Sequence, residues 1–458
     1  MRFVTRLGLA GAAAVVAGCA AFHALPLDRG RAPARAADIT VAAATMPTPT
    51  LRAHTFDPAD GLDVTEVAML AIANNPQLRV ERDKAGVAHA QAYAAGLLPD
   101  PNVAYEHDRP VGNAPGANDA FSASLSLDLG NLVTRSARVA SARAGVREVD
   151  LNLLWSEWQT IAQARTLFDR IYFARERVAR LQVEHAALAP VQAAIIRALD
   201  SGRLNYPTAG AGLNAAANTT HELGIAEHDL NVAERDLHDL LGLDEAAPLR
   251  LTGAPFSVEP DPAGVQRALA EMPHRRPDLL ALQAGYASQQ QKLRSAILAQ
   301  FPAITVGFVR ARDNSNITSR GFSIGLSLPL FDGNRGNIAI ARATRLQLRD
   351  AYTARLLVDR NDVQKLWADL QNDRARHGAV ADHAARLDRA RKAAQADYAG
   401  GRLDWPTYLE IRASSLAADT SLLTLEQDTH ATAIALDALT GGWPPASAAE
   451  KPETQVRR

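Results

Sequence analysis

From about Asn337 to Ala399 the chain contains no proline. A second stretch, from about Leu132 to Asp200, contains only Pro190. Both are dominated by Ala, Leu, Arg, Glu and Gln, the strong helix formers. At 1.5 Å per residue, a helix over either stretch reaches on the order of 90–100 Å. Neither fits inside a globule, so the chain must build an extended architecture. Leu151, Leu154, Trp158, Ile161, Phe168 and Tyr172 recur at spacings of three and four, interrupted once by Arg165, and Leu356, Val363, Leu366 and Leu370 continue the pattern in the other stretch. Such a seam is what helices packed side by side require. Pro190 marks a possible bend or break in the first stretch.

The two stretches belong to a tandem repeat. Asn75-Pro76-Gln77-Leu78 returns as Arg276-Pro277-Asp278-Leu279, and Leu98-Pro99 as Phe301-Pro302. Phe121-Ser122-Ala123-Ser124-Leu125-Ser126-Leu127 returns as Phe322-Ser323-Ile324-Gly325-Leu326-Ser327-Leu328. The clearest match is Gly202-Arg203-Leu204-Asn205-Tyr206-Pro207-Thr208 against Gly401-Arg402-Leu403-Asp404-Trp405-Pro406-Thr407, and Leu241-Gly242 aligns with Thr440-Gly441. The order is the same in both halves. This divides the chain into a first repeat at 61–248, a linker at 249–273, a second repeat at 274–442 and a flexible tail at 443–458.

Within each repeat a helix (about Val64 to Leu97, and Pro277 to Gln300) precedes two strands. Ile304, Val306 and Phe308 alternate with Thr305 and Gly307; Phe322, Ile324, Leu326 and Leu328 alternate with Ser323, Gly325 and Ser327. In the first repeat Phe121, Ala123, Leu125 and Leu127 alternate with Ser122, Ser124 and Ser126, beside a weaker partner strand at Val103, Tyr105 and His107. Period-two alternation predicts one apolar and one polar face. The lengths suit tilted membrane strands of roughly 9–11 residues. Two isolated hairpins leave sheet edges unpaired, whereas strands shared among copies in a closed barrel leave none. After each hairpin comes a long helix, a tight turn and a returning helix, from about Pro207 to Leu241 and from Pro406 to Leu439. In the turn, Gly202 and Gly401 suit a helix stop, Asn205 and Asp404 an N-cap, and Pro207 and Pro406 the first helical turn.

The N-terminus adds an address. Arg2 and Arg6 precede a short apolar run, Leu7 to Val16, and then Val16-Ala17-Gly18-Cys19. The run is too short to span a bilayer and reads as a signal peptide, 1–18. Cys19 is the only cysteine, so the chain can form no internal disulfide and no thiolate metal site. Its small-residue context resembles a lipoprotein cleavage box, which implies lipidation at Cys19 and a lipidated tether over 19–60. Ala20, where an Asp would favour inner-membrane retention, points to the outer membrane.

The order helix, hairpin, long helix, turn and returning helix, repeated behind a lipobox, resembles the TolC family of outer-membrane efflux proteins. Asn74-Asn75-Pro76-Gln77-Leu78, Arg275-Arg276-Pro277-Asp278-Leu279, Phe301-Pro302 and Leu328-Pro329-Leu330-Phe331-Asp332-Gly333-Asn334 carry the resemblance. It implies a mainly α fold with a small β-barrel contribution. In that fold a homotrimer forms a twelve-stranded barrel in the lipid bilayer, standing on a helical periplasmic tunnel. It also implies partners: a periplasmic adaptor (membrane fusion protein) and an inner-membrane pump, of the resistance-nodulation-division type. The adaptor-contact tips would be Gly202, Arg203, Leu204, Gly401, Arg402 and Leu403. The gate, matched by position, would be Tyr398, Arg402, Asp404, Thr407 and Glu410; Thr407 stands where the family has a second acid. Heavy-metal cations and small toxic organics are the cargo classes this resemblance leaves open, with a lipid-anchored periplasmic coiled-coil scaffold or adaptor as the alternative function.

Enzymatic readings find no foothold. No phosphate-binding loop, dinucleotide fingerprint or nucleophile elbow occurs. The 12 histidines are scattered; His221 and His228 lie two turns apart, too far for a one-turn chelating pair. Neither a cofactor nor a metal is expected. A net charge of −1 offers no basic field to a nucleic acid.

Overall fold

The computed structural model describes residues 22–441 except 28, 29, 31, 32, 34 and 112–115. Signal peptide, Cys19 and tail therefore lie outside the described residues. The first repeat contains α1 (Val64–Asn74), α2 (Pro76–Gly96), β1 (Asn102–Asp108), β2 (Ala120–Asp128), α3 (Gly130–Asp200) and α4 (Tyr206–Leu241). The second contains α5 (Pro262–Arg275), α6 (Pro277–Leu298), β3 (Ala303–Arg312), β4 (Thr318–Ser327), α7 (Arg335–Ala399) and α8 (Trp405–Thr440).

Three local expectations change. The single helix expected from Val64 to Leu97 is broken at Asn75-Pro76. Asn75 takes an extended ψ, its side chain accepts from the Leu78 N–H, and Pro76 opens α2, because the residue before proline avoids helical geometry. Pro190 does not end α3, which runs 71 residues through it; its neighbours Leu188 and Val191 are buried against other helices, and tertiary packing offsets the lost hydrogen bond. Residues 262–275, assigned above largely to the linker, form α5, whose N-cap Asp261 accepts from the Gly264 N–H. The stretch assigned as tether is not loose over its described part either. Met46 and Leu51 are buried in the first repeat's core with Val67, Leu70 and Leu241, and burying such side chains stabilises each by roughly 1.5–3 kcal/mol.

Strand order is β1-β2-β3-β4, antiparallel throughout. The repeats join edge to edge through β2 and β3. Pairing places Val103 beside Leu125, Leu125 beside Phe308 and Phe308 beside Phe322. The polar partners, among them Ser126, Gly307 and Ser323, share the other face. Both β1 and β4 keep a free edge among the described residues.

The helices repeat this lateral order. Next to the sheet, α2, α3, α6 and α7 lie side by side; in the far half, α4, α3, α8 and α7 do. Thus α3 and α7 run the full length, and each changes partner midway. The change happens at the proline joints. Asn74 Nδ2 donates to the carbonyls of Leu241 (2.7 Å) and Gly242 (3.1 Å), and Asn75 Nδ2 to that of Leu240 (2.8 Å), capping the end of α4. In the second repeat, fully buried Arg276 bonds Asp278 at 2.7 and 3.0 Å, lies 3.2 Å from Asp359, and stacks 4.8 Å over Trp155. Removing one partner from a buried ion pair of this kind costs about 3–5 kcal/mol.

Candidate functional site

The two helical turns have the same backbone. In both, the glycine sits at φ +69°, a conformation that a side chain would strain. The Gly202 N–H donates to the Leu199 carbonyl and the Arg203 N–H to that of Ala198; Gly401 and Arg402 donate in the same way to Tyr398 and Asp397. This is the paired 5→2 and 6→1 bonding that closes a helix. Asn205 and Asp404 then accept from the N–H groups of Thr208 and Thr407, opening α4 and α8.

The side chains differ. In the first turn Arg203 Nε donates to Ser201 Oγ at 2.9 Å, and Tyr206 is 80% exposed. In the second, Arg402 is tied to Asp397 at 2.6 Å, and Trp405 lies against α4 so closely that a Cβ on Gly212 would sit 2.7 Å from its ring. Tyr398 stacks on Tyr408, centroids 4.4 Å apart and planes 6° apart. Leu188, Val191 and Ile195 of α3 form one buried cluster with Ala209, Tyr408 and Leu409.

One turn beyond that cluster lies a buried ion pair between the repeats. Arg412 of α8 donates from Nε and Nη2 to both Glu184 oxygens of α3, at 2.8 and 2.6 Å, and from Nη1 to the Tyr408 hydroxyl at 3.0 Å. Both charged groups are buried. A bidentate guanidinium–carboxylate pair is among the stronger and more directional contacts available.

Of the expected gate residues, the structure brings Tyr398 into the cluster beneath the turn and places Arg402, Asp404, Thr407 and Glu410 exposed around it. Asp404 is the helix cap, and Arg402 is held by Asp397. The candidate tip residues Gly202, Arg203, Gly401 and Arg402 are exposed; Leu204 and Leu403 pack partly beneath them. Cys19 lies outside the described residues. The sequence reading missed Glu184, Tyr408 and Arg412. A comparison of the repeats held the signal, since Ala209 and Leu213 occupy the equivalent places in the first turn.

Two more features bear on the site. Midway along the helices, Phe256 of the inter-repeat segment is clamped between repeats. Its N–H donates to Asp169 at 2.9 Å, its carbonyl lies 2.9 Å from His430 Nδ1, and Arg165 stacks 3.9 Å over its ring while holding Asp437 at 2.7 Å. The Asp169 carboxylate, 3.2 Å from the same nitrogen, raises the His430 pKa above its usual value; burial works against that shift. Near the N-terminus His54, Asp63 and Glu66 bring three potential ligand atoms within 4.8 Å. The two acids are already occupied: Asp63 accepts from Thr65 and Glu66, and Glu66 from Asp57 and Asp63. The cluster is the capping box of α1.

No described helix is long and apolar enough to cross a membrane. The apolar face of the sheet is bare: Phe322 is 90% exposed, and Val103, Tyr105, Ile324 and Leu326 are exposed on the same face.

Residues 268–442 match the model described as "Outer membrane efflux protein". Among solved structures, the chain has the fold of CusC, at 19% identity and TM-score 0.69, over 92% of this chain and 100% of that one. The Campylobacter jejuni CmeC outer membrane channel is similar at 14% identity and TM-score 0.70, over 93% and 95% of the two chains. The open-state Neisseria gonorrhoeae MtrE outer membrane channel is similar at 18% and 0.67, over 83% and 89%. No curated protein matches the chain in sequence.

Proposed function

Through residues 268–442 the chain belongs to the outer membrane efflux protein family, and from that premise we propose that it is the channel subunit of a tripartite efflux system. Three copies close twelve strands into a barrel, and their helices continue it as a periplasmic tunnel. The observation that carries this reading is the sheet. Four strands with two free edges and a bare apolar face are incomplete in water, and no open sheet edge can face lipid. The helices support the same closure. The lateral edges of the chain, α2 and α7, expose Val80, Val87 and Tyr93 on one side and Ile340, Leu346 and Leu357 on the other, as surfaces awaiting neighbours do.

In this reading Ser122, Ser124, Ser126, Thr305, Ser323 and Ser327 face the water-filled pore. The channel conducts passively, driven by an inner-membrane pump of the resistance-nodulation-division type through a periplasmic adaptor, which docks at the two kinds of tip. The cargo, heavy-metal cations or small toxic organics, is selected by that pump. Cys19 anchors the chain by its lipid. The second turn is the gate: Arg412, Glu184 and Tyr408 hold it shut against the first repeat, and Glu410 from three copies forms an acidic ring that favours cations.

Conductance of the purified protein in planar bilayers tests this. Discrete cation-selective steps are expected, with selectivity reduced in Glu410→Ala. A trimeric preparation that never inserts would overturn the pore and favour a lipid-anchored scaffold.

A further inference from the structure

On the β3–β4 hairpin the apolar face of the sheet ends abruptly. Counting from the helices, Ile304 with Leu326, Val306 with Ile324 and Phe308 with Phe322 make three apolar cross-strand rows. The fourth row, two residues nearer the hairpin loops, is Arg310 directly opposite Arg320. Antiparallel pairing keeps these arginines on the same face as the phenylalanines. Like charges placed directly opposite each other destabilise a strand pair, so the arrangement calls for a counter-charge between them.

The chain does not provide one. Among the described residues neither arginine side chain makes a hydrogen bond or ion pair. The two acids near this end are engaged elsewhere. Asp119 lies 3.6 Å from His107 and 3.8 Å from Arg109, and Asp313 accepts from the N–H groups of Ser315 and Ile317. Glu106 and Asp108 alternate onto the opposite face. A neighbouring copy closing the β4 edge with its own β1 would bring Val103, Tyr105 and His107 to this face, and no acid.

Resting on the barrel reading above, which turns this face to lipid, we propose that Arg310 and Arg320 form a clamp for the phosphate of an anionic lipid headgroup. The row lies where the apolar band of this hairpin stops, at the depth at which hydrocarbon gives way to headgroups. Two guanidinium forks on facing strands present parallel N–H donors to one phosphate, the geometry that such groups recognise best. The occupant is a membrane lipid because the site opens onto the apolar face: Phe308 and Phe322, edge to face at 5.9 Å, lie directly beneath it to receive acyl chains.

The test uses the full-length assembled protein in phosphatidylcholine vesicles. Chain-spin-labelled phosphatidic acid or phosphatidylcholine is added, and the motionally restricted fraction of each is read by electron spin resonance. The wild type is expected to prefer phosphatidic acid. Arg310→Gln with Arg320→Gln should lower that preference roughly thirtyfold, the product of two cations near the surface at about fivefold each, and leave phosphatidylcholine unchanged. Arg310→Lys with Arg320→Lys keeps the charge without the forks, and should fall between. Equal preference in wild type and the glutamine variant, with normal phosphatidylcholine restriction in both, overturns the clamp and leaves the barrel standing. No restricted lipid of either kind overturns the barrel as well.

Discussion

The two helical turns share a backbone and differ in what holds them. Ala198, Leu199, Asn205, Ala209, Ala211 and Leu213 of the first stand where the second has Asp397, Tyr398, Asp404, Tyr408, Glu410 and Arg412. The first turn packs through small and aliphatic side chains and leaves Tyr206 in solvent. The second leans on it through Trp405 and is latched to α3 by Arg412 and Glu184. Small aliphatic contacts are tolerant and graded; a buried ion pair is either made or costly to break. The two hairpins thus share one backbone and differ in attachment: the first packs through small and aliphatic contacts, the second adds a buried ion pair.

The largest test of that contrast is to remove one half of the latch. Arg412→Ala strands the Glu184 carboxylate in the interior and is expected to cost about 3–5 kcal/mol, read by chemical denaturation and by proteolysis at the second turn. Leu213→Ala at the equivalent place is expected to cost roughly 1–2 kcal/mol, below a fully buried truncation because the site is partly exposed. Replacing both Arg412 and Glu184 by leucine should recover most of the stability while raising bilayer conductance, since the packing remains but the directional pair is gone. Equal losses for Arg412→Ala and Leu213→Ala would erase the distinction.

Crowding comes next. Gly212→Ala drives a methyl into Ile195 Cδ1 and places it 2.7 Å from the Trp405 ring. It should cost about 1–3 kcal/mol and red-shift Trp405 emission as the second turn is pushed off the first. Gly210→Ala, which meets nothing within 4 Å, should stabilise α4 by up to about 1 kcal/mol. The caps set the floor. Asn205→Ala and Asp404→Ala should each cost about 1 kcal/mol, and similar values would show that the turns remain equal in backbone while unequal in packing. The smallest effect lies outside both. His430 has a folded pKa raised by Asp169, so its contribution is fully present below about pH 6.5 and is lost as pH rises through the folded value. His430→Gln should flatten stability across that window.

Much of this architecture is legible in residues. The alternation at Phe322, Ile324 and Leu326 predicts one bare face, and pairing places them together. Gly202 and Gly401 foretell the closing turns because few other residues adopt φ +69°. Pro190 misleads because packing on both sides outweighs one missing hydrogen bond. The Asn75-Pro76 break was within reach, since a proline restricts its predecessor, yet the surrounding helical periodicity hides it. The latch was harder to see. Glu184 and Arg412 are 228 residues apart, and each alone looks like a solvated helix residue. Only the side-by-side packing of α3 and α8 makes them partners.

The clamp around Phe256 acquires a mechanical meaning from its position. His430 fixes α8 at a point 25 residues from Trp405, about 38 Å along a continuous helix. A helix held there is a lever with its fulcrum at the clamp and its free end at the tip. Tilting it by roughly 10° moves Trp405 by between about 6 and 7 Å, without unwinding a single turn. In the channel proposed above, that swing would change the aperture by the width of a small hydrated solute, and the stiffness of the fulcrum, more than that of the rod, would set how much work it requires.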